Sequence, residues 1–208
     1  MNINKKMMRN VGIGVVVAAA LLLISNAVMA AETAVWQSFT VSGTPTPGLS
    51  LDVKEELRFA SGDGGLSLVQ QSTDISLSTD AVSDLVNVVV GYRNTSRGEH
   101  RPYVGLGLNL LRGEVSLCNL TKLELRDFDT WRGRTELTAS MNVGGVTPWV
   151  SEEVFVGATG VTGNRASVGV TKGLNKLFSV RGFYLLNSTG EGLGNHAHVL
   201  GLGLGVTL

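Results

Sequence analysis

Beyond residue 48, apolar and polar residues alternate with a period of two, the repeat of a β-strand with unlike faces. Leu51, Val53, Leu57 and Phe59 alternate with Asp52, Lys54, Glu56 and Arg58. Val86, Val88, Val90 and Tyr92 alternate with Asn87, Val89, Gly91 and Arg93, and Val104, Leu106, Leu108 and Leu110 with Tyr103, Gly105, Gly107 and Asn109. Leu117, Leu123 and Leu125 stand against Lys122, Glu124 and Arg126, and Ala166, Val168 and Val170 against Arg165, Ser167 and Gly169. The last run sets Leu200, Leu202, Leu204, Val206 and Leu208 against Gly201, Gly203, Gly205 and Thr207. Turn clusters separate the runs, at 61–65, 79–84, 94–99, 112–113, 127–129, 144–145, 160–163, 173–175 and 188–195. Ten strands fit between Leu49 and Leu208, about sixteen residues for each strand with its turn, the spacing of an up-and-down antiparallel barrel.

A soluble barrel with an apolar inside and a membrane barrel with an apolar outside share this period. Two features favour the membrane form. The second face mixes charge with bare glycine, which suits a crowded lumen better than a solvated strand. The aliphatic face is unbroken over five alternate positions at the C-terminus, near the reach of a membrane strand of about 9–11 residues.

The amino terminus adds a third. Lys5, Lys6 and Arg9 precede an apolar run from Val11 to Ile24, shorter than the roughly 20 residues of a transmembrane helix. Val28 and Ala30 then supply the small residues of a cleavage site, so residues 1–30 are expected to be a signal peptide removed before Ala31. Residues 31–48 form an N-terminal segment. Within it Ala34 to Ser42 has Val35, Phe39 and Val41 on one face and Trp36 on the other, ahead of Pro45 and Pro47. It reads as an extra strand, a plug or a periplasmic piece. Because single-chain bacterial barrels have even strand numbers, the preferred count is ten in a range of ten to twelve, with residues 49–208 forming the barrel.

Composition narrows the class. Of 208 residues, 43% are hydrophobic and 16% charged, too apolar a mixture for disorder. The single Cys118 excludes an internal disulfide framework and reads as an inert interior residue. Seventeen basic and 17 acidic residues leave no polycationic surface for nucleic acid. The expected location is the outer membrane of a Gram-negative cell, and the expected partners are its lipids and the barrel-assembly machinery. With the chain ending in the periplasm, the long 94–99 and 188–195 connections face outward and the short 112–113 and 173–175 turns inward. Phe59, Tyr92, Trp131 and Tyr184 then form an outer aromatic girdle.

The polar face carries the most informative set: Glu56, Arg58, Asp74, Arg93, Arg101, Lys122, Glu124, Arg126, Arg132, Arg134, Glu136, Glu153, Arg165 and Arg181. Buried charges need partners, and both signs are supplied, so the expectation is a salt-bridged plug; an ion or solute path is the other reading. The same parity turns Glu55 and Glu152 toward lipid, unless they lie near an interface or β-bulges re-aim them. His100, His196 and His198 are outer-rim candidates whose imidazoles could meet at a metal or serve as a base, with Ser96 and Glu99 near the first. No hydrolase motif accompanies them, so no catalytic residue, metal or cofactor is assigned.

In order along the chain, Trp36, Glu55-Glu56-Leu57-Arg58, Gly91-Tyr92-Arg93, His100-Arg101-Pro102, Arg132-Gly133-Arg134, Pro148 with Glu153-Val154-Phe155, Asn164-Arg165 with Gly169, and Tyr184-Leu185-Leu186 resemble the bacterial family called domain of unknown function 2490. The sequence departs from that pattern at Asn119-Leu120, where arginine usually follows the asparagine, and ends in Leu208 rather than an aromatic. The resemblance implies a small outer-membrane barrel and brings no activity with it. The expected role is structural or small-ligand and lipid binding; a lipid-modifying enzyme and a narrow passive channel are the alternatives.

Overall fold

A computed structural model of the protein describes residues 33–62, 65–83, 85–190 and 193–208. The expected signal peptide lies outside these residues. The described chain is all β: β1 (Thr33–Thr46), β2 (Leu49–Gly62), β3 (Gly65–Ser83), β4 (Val86–Thr95), β5 (His100–Leu111), β6 (Val115–Arg126), β7 (Thr130–Met141), β8 (Val146–Gly157), β9 (Gly160–Gly173), β10 (Phe178–Thr189) and β11 (Asn195–Thr207). Each strand pairs with its sequence neighbours, and β1 pairs with β11 to close the barrel.

The closure corrects the expected architecture. Ten strands do lie between Leu49 and Leu208, but Ala34 to Ser42 is neither plug nor periplasmic extension. It is barrel wall, joined to β2 antiparallel and to β11 parallel in an unbroken register from Thr33↔His198 to Ser42↔Thr207. The barrel therefore has eleven strands and a mixed sheet. In a meander of odd strand number the first and last strands run the same way, so they can close only as a parallel pair.

Turn chemistry explains the tight corners. Pro47 and Gly48 connect β1 to β2 with Gly48 at φ 78°, the proline-then-glycine order of a type II turn. Gly144 and Gly145, at φ 60° and 81°, close β7 onto β8 with the bonds Val143 N–H to Val146 O and Val146 N–H to Val143 O. Positive φ at both central residues is the hairpin geometry that follows strand twist. Asp127 and Phe128 hold the same sign at β6–β7 without glycine.

The expected contrast in loop length is absent. Connections 96–99 and 190–194 share one end of the barrel, and 112–114 and 174–177 share the other, but all are short, because flanking residues such as Asn94 and Ser188 continue their strands. Hereafter the loop end is the one holding 96–99, and the turn end the one holding Pro47–Gly48 and Leu208.

Strand parity sorts the two faces. Leu200, Leu202 and Leu204 point outward at 53%, 64% and 40% exposure, as do Val104 and Leu106. Phe59, Tyr92, Trp131 and Tyr184 all take this outward phase toward the loop end, but Tyr184 is buried, against His198. Outward polar groups bond one another between neighbouring strands: Thr73 donates to Glu55 at 2.6 Å, Thr121 and Thr135 hydroxyls lie 2.9 Å apart, and Asn164 donates to Glu152. The ladders run without interruption through Glu55 and Glu152, so no bulge re-aims either carboxylate.

Candidate functional site

The inward positions of β2 through β9 build a belt of ion pairs. On β2, Glu56 accepts from Lys54 at 2.9 Å and from the Arg58 Nε at 2.7 Å. Asp74 on β3 accepts from Arg93 Nε at 2.8 Å on one oxygen and from the Tyr103 hydroxyl at 2.6 Å on the other. On the far wall, Glu124 takes the Arg132 guanidinium through two nitrogens, with Arg134 3.6 Å away. Glu153 takes Arg134 and, at 3.2 Å, Arg165, whose Nε donates to Asn187 at 2.9 Å. Glu136 lies 3.9 Å from Arg134. Burial of Glu56, Glu124 and Glu153, none above 7% exposed, is tolerable because each meets at least two cations.

Aromatic faces carry the belt across the lumen, a layer the sequence reading missed. Trp36 on β1 lies 4.0 Å from the Arg58 guanidinium and 5.2 Å from that of Arg165 on β9, spanning strands that do not pair. Phe155 sits 4.6 Å from Arg165 and 4.8 Å from Arg132. Lys122 lies over Tyr103 at 4.2 Å and Arg181 over Trp149 at 3.6 Å. The signal was parity: these rings occupy the polar phase of otherwise apolar-polar strands, where a lumen-facing cation can use an aromatic face.

Large rings fit because each lies opposite a glycine. Tyr103 pairs with Gly91, Trp149 with Gly169 and Phe183 with Gly201. A Cβ at Gly91 would stand 2.7 Å from the Ile75 carbonyl oxygen and against the Tyr103 ring, and one at Gly201 would meet the Phe183 ring. The inward glycines of β11 thus provide space for neighbouring side chains.

The belt divides the lumen. Toward the loop end Tyr103, Thr95, Ser72 and Phe155 are buried. There Glu99, in the connection after β4, is bound by Arg101 and Arg126. Burial raises the Glu99 carboxyl, but these two guanidiniums outweigh it and hold it down at about 2. The connections are braced as well, with His100 N–H donating to Asp127 Oδ1 at 2.8 Å and Ser96 N–H to the Gln71 carbonyl at 2.8 Å. Toward the turn end the lumen widens into a cavity of about 420 Å³ lined by Trp36, Lys54, Glu136, Trp149, Arg181, Phe183 and a set of serine and threonine hydroxyls. Cys118 faces inward on the opposite wall, 3.4 Å from Asn109 Oδ1.

The three histidines do not form a site. His100 opens β5, whereas His196 and His198 lie on β11, with four strands between them by the shorter way round. All three take the outward phase, and each is engaged locally: His100 by Tyr92, His198 by Tyr184, and His196 by Ser188 Oγ at 3.0 Å. Ser96 and Glu99 are committed elsewhere, Ser96 Oγ accepting the Gln71 N–H at 3.0 Å and Glu99 holding its two arginines. Among the described residues no three histidine, cysteine or acidic side chains are grouped to hold a metal ion.

Fold and site together define a closed β-barrel that is apolar outside and ion-paired within. The chain belongs to the family described as protein of unknown function (DUF2490), whose model it matches over residues 33–195. No curated protein matches it.

Proposed function

We propose that this protein is an integral outer-membrane β-barrel whose lumen is plugged by its own ion pairs, and that its role is structural or ligand-binding rather than conductive. The observation that carries the reading is the inversion of the usual burial pattern. Leu200, Leu202 and Leu204 stand outside, while Glu56, Glu124 and Glu153 are buried inside. A water-soluble barrel would lose the hydrophobic stabilisation of that outer surface, which a bilayer supplies. Strand length supports the reading: the twelve residues of β6 extend roughly 40 Å, or about 30 Å along the axis of a barrel tilted about 40°. The expected signal peptide supports export, and cross-strand pairing of Glu55, Glu152 and Asn164 lowers the cost of polar atoms facing lipid.

The test is recovery of the protein from separated inner and outer membranes, with gel mobility compared before and after boiling, and single-channel recording of the refolded barrel. Outer-membrane recovery, a heat-dependent shift and silent bilayers are expected. A soluble periplasmic protein would overturn the membrane reading, and stable openings would overturn the plug.

A further inference from the structure

We propose that the open half of the lumen, between the ion-pair belt and the turn end, is a binding pocket for a small solute bearing an oxyanion, carboxylate or phosphate, with Arg181 as its principal partner. The proposal rests on the plugged lumen, since a through-channel would pass such a solute rather than hold it.

The charge of the cavity points to an anion. Six cationic side chains line it with Glu56, Glu136 and Glu153, and Asp74 and Glu124 pair with two of them, Arg93 and Arg134, which leaves an excess of one positive charge (six minus five). Five of the six cations are satisfied by carboxylates of the belt. Among the described residues, Arg181 alone of the six stands in no ion pair. It stacks on Trp149 at 3.6 Å and faces Gly203 across the ladder, so no side chain from β11 covers it there. A guanidinium fixed by an aromatic face, with its donors uncommitted, is arranged for a planar or tetrahedral oxyanion.

A second observation points the same way. The Trp149 indole N–H is buried without a hydrogen-bond partner among the described residues, and its ring lines the same cavity as Arg181, Ser42 and Ser179. A buried donor left unpaired is costly, and because the N–H has no open surface in this arrangement, a solute acceptor would meet it after a turn of the ring toward the cavity. The volume of about 420 Å³ falls within the range of about 300–1,000 Å³ typical of small-molecule sites.

The test uses the full mature barrel refolded in detergent, with folding verified by its heat-dependent mobility. Tryptophan emission is titrated with sodium phosphate and, separately, sodium succinate, at ionic strength held constant with chloride. Trp36 and Trp149 report from the lumen. A saturable change is expected with at least one probe, weakened about tenfold or more in Arg181→Gln, partly restored in Arg181→Lys, and unaltered in Arg112→Gln at an exposed turn. A response to phosphate alone assigns a phosphate-bearing solute, to succinate alone a carboxylate, and to both the oxyanion they share. No saturable change beyond chloride, or equal affinity in Arg181→Gln, overturns the pocket. Stable openings from the same preparation would overturn the plug instead, so the two failures are distinct.

Discussion

Trp149 and Gly169 face each other across the β8–β9 ladder, and the indole occupies the space a side chain at Gly169 would need. A Cβ there would lie 2.7 Å from both the indole Cε2 and the Gly182 carbonyl oxygen. The carbonyl is backbone and cannot move aside without breaking the next ladder. Gly169→Ala is therefore expected to destabilise the barrel by about 1–3 kcal/mol, read as a lower urea midpoint of unfolding. Trp149→Val should recover only the part caused by the ring, leaving the clash with the carbonyl. An unchanged midpoint in Gly169→Ala would show that the sheet relaxes freely there.

Glu153 is the carboxylate on which two walls of the lumen converge, through Arg134 and Arg165. Glu153→Gln keeps the shape but leaves buried Arg165 without its carboxylate and takes from Arg134 the nearest of its three. A loss of roughly 3–5 kcal/mol is expected, against almost none for Glu114→Gln in an exposed turn. Equal losses in the two variants would mean that the belt contributes no more than a surface pair.

Acid should loosen the loop end first. The folded Glu99 carboxyl is depressed to about 2 from an ordinary value of 4.5, so its contribution is complete above 4.5 and disappears as the pH falls toward 2. Between those limits the unfolding free energy of Glu99→Gln should depend less on pH than that of the native barrel. Parallel pH profiles would remove Glu99 from the acid response.

The parallel seam is open to direct cross-linking. Phe39 and Leu204 are register partners on the outer face, at a spacing a disulfide can bridge. With Cys118→Ser in the background, Phe39→Cys with Leu204→Cys should cross-link under mild oxidant and alter mobility on a non-reducing gel. The diagonal pair Phe39→Cys with Leu202→Cys should cross-link poorly, at about 7–8 Å. Efficient linkage of the diagonal pair, or none in the first, would place β1 in another register or outside the wall.

Much of this arrangement is legible in the residues themselves. Leu200 to Val206 against Gly201 to Gly205 states both the strand and its two faces, because strand parity needs no tertiary information. The opposite charges on neighbouring strands, such as Glu124 and Arg132, announce pairing by the same rule. β3 is harder to see, since serines and threonines occupy both phases around Ile75 and blur the alternation. Closure is not local at all: nothing in Val35 to Val41 tells whether its second neighbour is solvent or β11. The histidine grouping failed for the same reason, because residues at one rim can still lie on opposite walls. Trp36, Trp149 and Phe183 were visible by phase, but their stacking on arginines depends on which strands face each other across the lumen.

The parallel seam also orders assembly. β2 through β10 each find both partners in the segments just before and just after them, so ten ladders can form as successive hairpins. The β1–β11 seam is the exception: Thr33 must meet His198, and the free edge of β1 stays unsatisfied until β11 exists. The strand that leaves the ribosome earliest among the eleven is thus the last to gain its second neighbour, and its edge must be kept from other pairings until β11 is made.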